Sequence, residues 1–282
     1  MFKLFELTPQ FATAVWGGQR FVHLTGAPAN EPIAEVWLAS DLDHRPTRIA
    51  NDPHQGMLLS EVIGRPFPFL IKLIDANRAL SVQVHPDDEK ARSRGYQFGK
   101  SEAWVVIDAD PGSRIYAGLK PGVDRTTLEK AISGEQISEL LHSFEPQPGD
   151  LIYLPAGTIH ALGGGIRVFE IQQSCDITYR LYDWGRPREI HVAAALECAS
   201  FSGPIHPQSR SSLVTPFFEL YVHRSPITLG GDGRSRVLVS FGGASSGCID
   251  LPRERAVFVH EMTGECRLIP SPGTWIFECV LP

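Results

Sequence analysis

The sequence lacks the features that would place it in several large classes. There is no block of lysines and arginines, and the formal net charge is −6. A nucleic-acid or anionic-membrane partner would favour a clustered basic surface, so neither is expected. No stretch of about 18 apolar residues occurs. Near the N-terminus, Glu6 and Pro9 interrupt the unbroken apolar core that a secretory leader needs. The expectation is a soluble cytoplasmic protein. The five cysteines, Cys175, Cys198, Cys248, Cys266 and Cys279, are scattered and contain no Cys-x-x-Cys pair. That argues against a disulfide framework or a thiolate metal site and for small buried hydrophobes. No internal repeat and no long low-complexity segment is visible. Gly230, Gly231 and Gly233 lack the G-x-G-x-x-G register, so they read as a hairpin turn and not as a nucleotide loop.

What is present is a series of short apolar runs rich in Val, Ile, Phe and Tyr, separated by glycine and proline. The runs at 69–74, 103–107, 150–154, 167–172 and 236–241 suit strands. Helical patterning is confined to 58–63, 126–141 and 190–198, and Gly134 weakens the second of these. The chain is therefore mainly β with a few helices. Gly203, Pro204, Pro207 and the serines at 209–212 mark a boundary. The expected organisation is a catalytic domain over 1–204 and a smaller C-terminal β domain over 205–282.

The candidate chemistry lies at strand ends. In Ser-Val-Gln-Val-His-Pro, alternation points Gln83 and His85 to one face and Val82 and Val84 to the other. Pro86 ends that strand, and Asp87 and Asp88 can cap a short helix through Ala91. Glu102 opens an apolar strand after Gly-Lys-Ser, and His160 follows the turn in Pro-Ala-Gly-Thr-Ile-His-Ala. Taken singly, each is more often a hydrogen-bonded or solvated residue. Together, two imidazoles, a carboxylate and an amide oxygen make a mixed N/O site suited to a divalent metal such as zinc.

A second cluster comprises Glu170, Asp176, Arg180, Asp183, Arg186 and Arg188. Strand alternation would put Asp176, Thr178 and Arg180 on one face, as a functional pair or as a solvent-exposed ion pair. Lys72 stands within the apolar run Phe-Leu-Ile-Lys-Leu-Ile. Burying it unpaired is costly, so it either snorkels from an edge or faces a polar cavity.

These motifs resemble the type I phosphomannose isomerases. The resemblance rests on Pro-Phe-Leu-Ile-Lys-Leu-Ile-Asp-Ala at 68–76, Leu-Ser-Val-Gln-Val-His-Pro-Asp-Asp at 80–88 and Gly-Lys-Ser-Glu-Ala-Trp at 99–104. It continues in Gly-Asp-Leu-Ile-Tyr-Leu-Pro-Ala-Gly-Thr-Ile-His-Ala-Leu at 149–162 and in the run from Glu170 to Trp184. Weaker matches, Trp16-Gly-Gly, Ala34-Glu-Val-Trp and Arg188-Glu-Ile-His, extend it over roughly the first 195 residues.

The resemblance implies a cupin-type β-sandwich or jelly-roll and one zinc ion per chain. It implies interconversion of mannose 6-phosphate and fructose 6-phosphate by proton transfer between C1 and C2 through a cis-enediol. By the same resemblance Gln83, His85, Glu102 and His160 are the zinc ligands. Lys72, Lys100, Glu170, Asp176 and Arg180 surround the substrate, and Ser81 and Arg186 lie near its phosphate. Glu170 or Asp176 is the candidate base, Arg180 stabilises charge or orients a carboxylate, and Lys100 is a further acid/base candidate whose pKa zinc and Arg180 would lower. The sequence departs from the family at Gly99, where histidine is usual, and at Ala34, where glycine is commoner. Two other functions fit the same residues: a metal-bearing sugar-phosphate sensor or catalytically silent paralogue, and an Fe(II) oxygenase on a cupin scaffold. The expected partner is a hexose 6-phosphate, and monomer and homodimer are equally open.

Overall fold

Each of the five apolar runs expected as strands lies in or overlaps a strand: Phe69–Ala76, Glu102–Ala109, Leu151–Leu154, Ile166–Gln173 and Arg236–Phe241. The computed structural model describes residues 4–25, 31–133, 136–242, 244–245, 250–261 and 264–282. The helix expected over 126–141 divides into Arg125–Ser133 and Ile137–Leu140, and Leu141 opens a strand, Leu141–Phe144. Gly134 lies outside the described residues. The apolar face survives the change of backbone, since Leu128, Ile137 and Leu141 all enter one buried cluster.

The chain forms two compact units that interleave along the sequence. The first comprises Met1–Gln10, Val36–Lys72 and Arg210–Pro282, and the second Phe11–Glu35 and Leu73–Ser209. In the first unit, a six-stranded antiparallel sheet runs in the order Leu4–Glu6, Ala256–Val259, Arg236–Phe241, Trp275–Val280, Glu219–His223, Ser212–Val214. A four-stranded sheet built on Ile227–Leu229 and Cys266–Pro270 accompanies it. Leu229, Leu238, Val257, Leu268 and Ile276 from both sheets share one core.

The second unit has the same logic on a larger scale. Five antiparallel strands run in the order Tyr179–Tyr182, Val82–Val84, His160–Leu162, Ile115–Leu119, Leu141–Phe144. Opposite them, Glu102–Ala109 pairs with Ile166–Gln173 on one side and Leu151–Leu154 on the other. Trp104, Val106, Ile152 and Val168 from one layer and Ile115, Ala117 and Leu162 from the other meet in a buried core. The outer face of the five-stranded layer, through Val82, Val84, Ala161 and Leu181, is covered by the Arg125–Ser133 and Val192–Cys198 helices. Each strand of that layer is thus apolar on its outer face, which leaves the inner face for polar side chains near the strand ends.

Cys175, Cys198 and Cys279 are buried free thiols, as small hydrophobes should be. Cys266 departs from that expectation and is disulfide-bonded; Cys248 lies outside the described residues. No helix among the described residues is long and apolar enough to cross a membrane. Ile115 is fully buried in the core of the second unit. Ile115→Ala should lower stability by about 2–5 kcal/mol, as deletion of a packed aliphatic side chain does. The denaturant midpoint checks this, and an unchanged midpoint would place Ile115 outside the core.

Candidate metal centre

Three adjacent strands set out the first row of polar side chains. Gln83 lies opposite His160 on one side and Arg180 on the other, and directly opposed residues project from the same face of a sheet. The backbone N–H of Arg180 donates to His191 Nδ1 (3.1 Å), and its carbonyl accepts from the His191 N–H (2.7 Å). With both backbone groups directed outward, Arg180 and Gln83 form a non-hydrogen-bonded pair, the kind that brings opposed side chains closest.

The second row comes from the facing layer. Glu102 lies opposite Leu154 and Gln172, and Trp104, two residues further on the same face, lies opposite Ile152 and Glu170. His85 follows the Val82–Val84 strand at the point where Pro86 ends it. Asp87 then caps the Asp88–Arg92 helix by accepting from the Lys90 N–H at 2.8 Å.

The two rows converge. Glu102 Oε1 is 3.1 Å from His160 Nε2, and Glu102 Oε2 is 3.5 Å from His85 Nε2 and 3.0 Å from Lys100 Nζ. The Gln83 amide nitrogen is 3.3 Å from His160 Nε2. Each imidazole donates from Nδ1 to a backbone carbonyl, His85 to Ile177 at 2.7 Å and His160 to Thr158 at 2.9 Å. Those bonds fix the tautomer and leave each Nε2 as an acceptor: His85 Nε2 has no well-directed partner among the described residues, and His160 Nε2 faces the Gln83 amide nitrogen.

Burial makes this cluster electrically demanding, since Glu102 is 0% exposed, His160 1% and His85 2%. Burial alone would raise the Glu102 carboxyl pKa; Lys100 and the two imidazoles outweigh it and hold the group well below the usual carboxylate range. Burial, reinforced by the Lys100 charge, pushes His85 well below the ordinary histidine value. For Lys100 burial acts downward, but Glu102 and Glu170 outweigh it and the ammonium is held above its ordinary value.

Charge balance still leaves lone pairs unused. Both oxygens of Glu102 and Nε2 of His85 lack a well-directed hydrogen bond among the described residues, although Lys100 supplies a positive charge nearby. Buried acceptors in that condition carry a free-energy cost that a bound cation removes. The donor atoms of His85, Glu102 and His160 all lie within 4.8 Å of one another. An ion about 2.0–2.2 Å from each nitrogen or oxygen reaches across about 4.0–4.4 Å, which covers the 3.1 and 3.5 Å separations of Glu102 from His160 and His85. These three residues could hold a metal ion.

A family model for the phosphomannose isomerase type I catalytic domain matches residues 4–111. The mannose-6-phosphate isomerase of Streptococcus mutans is 31% identical over 243 residues, covering 76% of this chain and 77% of that protein. The chain belongs to the type I phosphomannose isomerase family. The probable mannose-6-phosphate isomerase GmuF of Bacillus subtilis is 35% identical over 210 residues, or 68% of this chain. That alignment spans 66% of the relative, just under two thirds of its length. A crystal structure of the mannose 6-phosphate isomerase from Bacillus subtilis superposes with a TM-score of 0.85 at 27% identity, over 98% of this chain and 99% of that one. The fold is the mainly β, cupin-type architecture that the resemblance implied.

The other residues expected for a phosphomannose isomerase differ in placement. Glu170 is buried and accepts from Trp104 Nε1–H at 2.8 Å. The Trp104 ring in turn meets His160 edge-to-face at 5.4 Å. Arg180 is half-buried, and its guanidinium makes no hydrogen bond or ion pair with the described residues. Asp176 is exposed, because the strand begins only at Tyr179 and the expected alternation of residues 176, 178 and 180 does not form. Ile177 instead packs with Ala91 and Cys175, which is what delivers its carbonyl to His85. Ser81 donates its hydroxyl to Gln83 Oε1 at 3.2 Å. Lys72 is buried in the first unit with its ammonium 4.9 Å from the Trp37 ring centre, a cation–π contact.

Arg186 donates to the Ala79 carbonyl (2.8 Å) and to Asp183 Oδ1 (2.6 Å), while Arg188 grips both Asp183 oxygens at 2.6 and 2.8 Å. Burial would raise the Asp183 pKa, but the bonds from Arg188 and Arg186 outweigh it and lower the value below 3.8. A carboxyl depressed by folding contributes stability that is complete above its unfolded pKa and lost as pH falls through its folded pKa. Asp183→Asn should therefore be about 2 kcal/mol less stable than the parent at pH 7, with the gap closing in acid below the ordinary value of 3.8. Denaturation across a pH series checks this; a gap independent of pH would remove the ionic role.

Proposed function

We propose that this member of the family interconverts mannose 6-phosphate and fructose 6-phosphate beside the His85, Glu102 and His160 cluster of the second unit, with one zinc ion per chain. The observation that carries the reading is a buried His–Glu–His donor set beside a guanidinium that is not engaged by its neighbours. His85, Glu102 and His160 would hold the ion, and Gln83 would join them by turning its amide, whose nitrogen faces His160 and whose oxygen accepts from Ser81, so that the oxygen points to the ion. Bound there, zinc would supply Lewis-acid polarisation of the sugar oxygens or orient the open-chain sugar.

The remaining steps belong to the chain's own residues. A proton must leave C2 of the aldose and reach C1 of the ketose, so a carboxylate has to collect it and deliver it. Glu170 is assigned that role in preference to Asp176. Its support is burial on the same inner face as Glu102, with one oxygen oriented by Trp104, whereas Asp176 is exposed. Lys100, buried with its ammonium 3.0 Å from Glu102 Oε2, is assigned as a donor to the sugar oxygen. Arg180 opposes the negative charge of the enediolate, because a guanidinium does not readily give up its proton.

Arg186, fixed in place by Asp183, is retained as the cation nearest the phosphate. The hydroxyl of Ser81 supports an orienting role on Gln83 as well. The partner is then a hexose 6-phosphate, and the compartment the cytoplasm, where phosphorylated sugars are formed and retained. Family membership does not favour the silent-sensor or Fe(II)-oxygenase readings, and no feature of the site singles them out.

A coupled assay of mannose 6-phosphate conversion, run before chelation, after it and after zinc is restored, tests the reading. Activity should vanish and return; turnover that survives complete metal removal would overturn the metal-dependent reading. Arg180→Ala should retain zinc and lose about 100–1,000-fold in kcat, the range for removal of one oxyanion-stabilising donor. A parental kcat would take Arg180 out of the site.

A further inference from the structure

The three ligand-bearing segments are joined to one another by hydrogen bonds that close a ring beyond the ends of the strands. The segment after His85 meets the approach to Glu102 through Lys100 N–H to the Pro86 carbonyl (2.9 Å) and Gly99 N–H to Asp88 Oδ1 (2.7 Å). That approach meets the turn before His160 through Ala156 N–H to Ser101 Oγ (3.1 Å). The turn returns to the first segment through Gly157 N–H to the carbonyl of His85 itself (2.8 Å). Gln173 braces the ring: its Nε2 donates to Asp88 Oδ1 and its Oε1 accepts from the Ser101 N–H, both at 2.9 Å.

Two residues make this closure possible. Ser101, 2% exposed, supplies the side-chain oxygen that links the Glu102 approach to the His160 turn. Gly99 permits the contact between its own segment and the one after His85. A Cβ at position 99 would lie 2.5 Å from the Asp87 carbonyl carbon, 2.6 Å from the Asp88 nitrogen and 2.7 Å from the Pro86 oxygen. Those are backbone atoms, which cannot rotate away as a side chain could.

We propose that Ser101 and Gly99 are positioning residues for the metal cage. They hold the His85, Glu102 and His160 segments at fixed separations, and position 99 is glycine because the ring leaves no room for a side chain there. Sheet register brings the three ligands to one cavity, but strand ends are otherwise free to drift, and a cage that must be rearranged binds its ion more weakly. The inference rests on the metal reading of the site, and its test does not use isomerase activity.

Purified metal-free parent, Ser101→Ala, Ser101→Thr, Gly99→Ala and Gly99→His are titrated with Zn2+ against a competing chelator. Each is also loaded with Co2+ and its visible absorption spectrum recorded. Metal-free melting curves establish that each variant is folded. Ser101→Ala, Gly99→Ala and Gly99→His should bind zinc about 10–100-fold more weakly than the parent, the usual effect of removing support behind a metal ligand. Their cobalt bands should shift, and Ser101→Thr, which keeps the hydroxyl, should recover both properties. Parental affinity and spectrum in folded Ser101→Ala and Gly99→Ala would overturn the positioning role. Tighter zinc binding by Gly99→His would overturn the account of Gly99. A parent that binds no zinc at all would overturn the metal reading, and this inference with it.

Discussion

A carboxylate with no solvent exposure has to be neutralised where it stands, and the arrangement around Glu102 follows from that constraint. Isolated in a low-dielectric interior its charge would be strongly unfavourable, and the group would take up a proton. Lys100, 3.0 Å from Glu102 Oε2, prevents this, and the hydrogen bonds on the far side of each imidazole leave the facing nitrogens as acceptors. The same carboxylate draws Lys100 inward and keeps it charged. The position of Lys100 and the aptness of the site for a cation thus follow from one buried negative charge, while the histidine tautomers follow from the Ile177 and Thr158 carbonyls.

The three arginines between residues 180 and 188 have different tasks. Arg186 and Arg188 close around Asp183 and fix the loop that follows the edge strand. Arg180 projects from the strand itself, into the row shared by Gln83 and His160. Arg186 and Arg188 share the carboxylate of Asp183, whereas the Arg180 guanidinium makes no hydrogen bond or ion pair with the described residues.

Much of the site was legible because strand alternation is a strict code. Val82 and Val84 against Gln83, and the apolar run after Glu102, locate the inner and outer faces without any tertiary information. The helix at 88–92 was legible from Pro86 and Asp87 for a similarly local reason. Asp176 was misplaced because the alternation reading assumed a strand that starts three residues too early; the packing of Ile177 against Ala91 depends on a distant helix and leaves no local mark. Trp104 went unremarked, although its spacing of two from Glu102 puts it on the ligand face and its indole N–H seeks an acceptor there. The interleaving of the two units was also hidden, since composition changes near residue 205 but not at residues 10, 35 or 72. Gly99 read as a missing group; only the proximity of the Pro86–Asp88 backbone reveals it as a contact.

The strand carrying Arg180 is the outermost of its layer. An open strand edge presents unpaired N–H and C=O groups on which another chain can add a strand. At Arg180 both of those groups are already taken by His191. At the point where Arg180 leaves the backbone the layer is closed to strand addition, so crowding of like molecules cannot twist that side chain out of its row by extending the sheet.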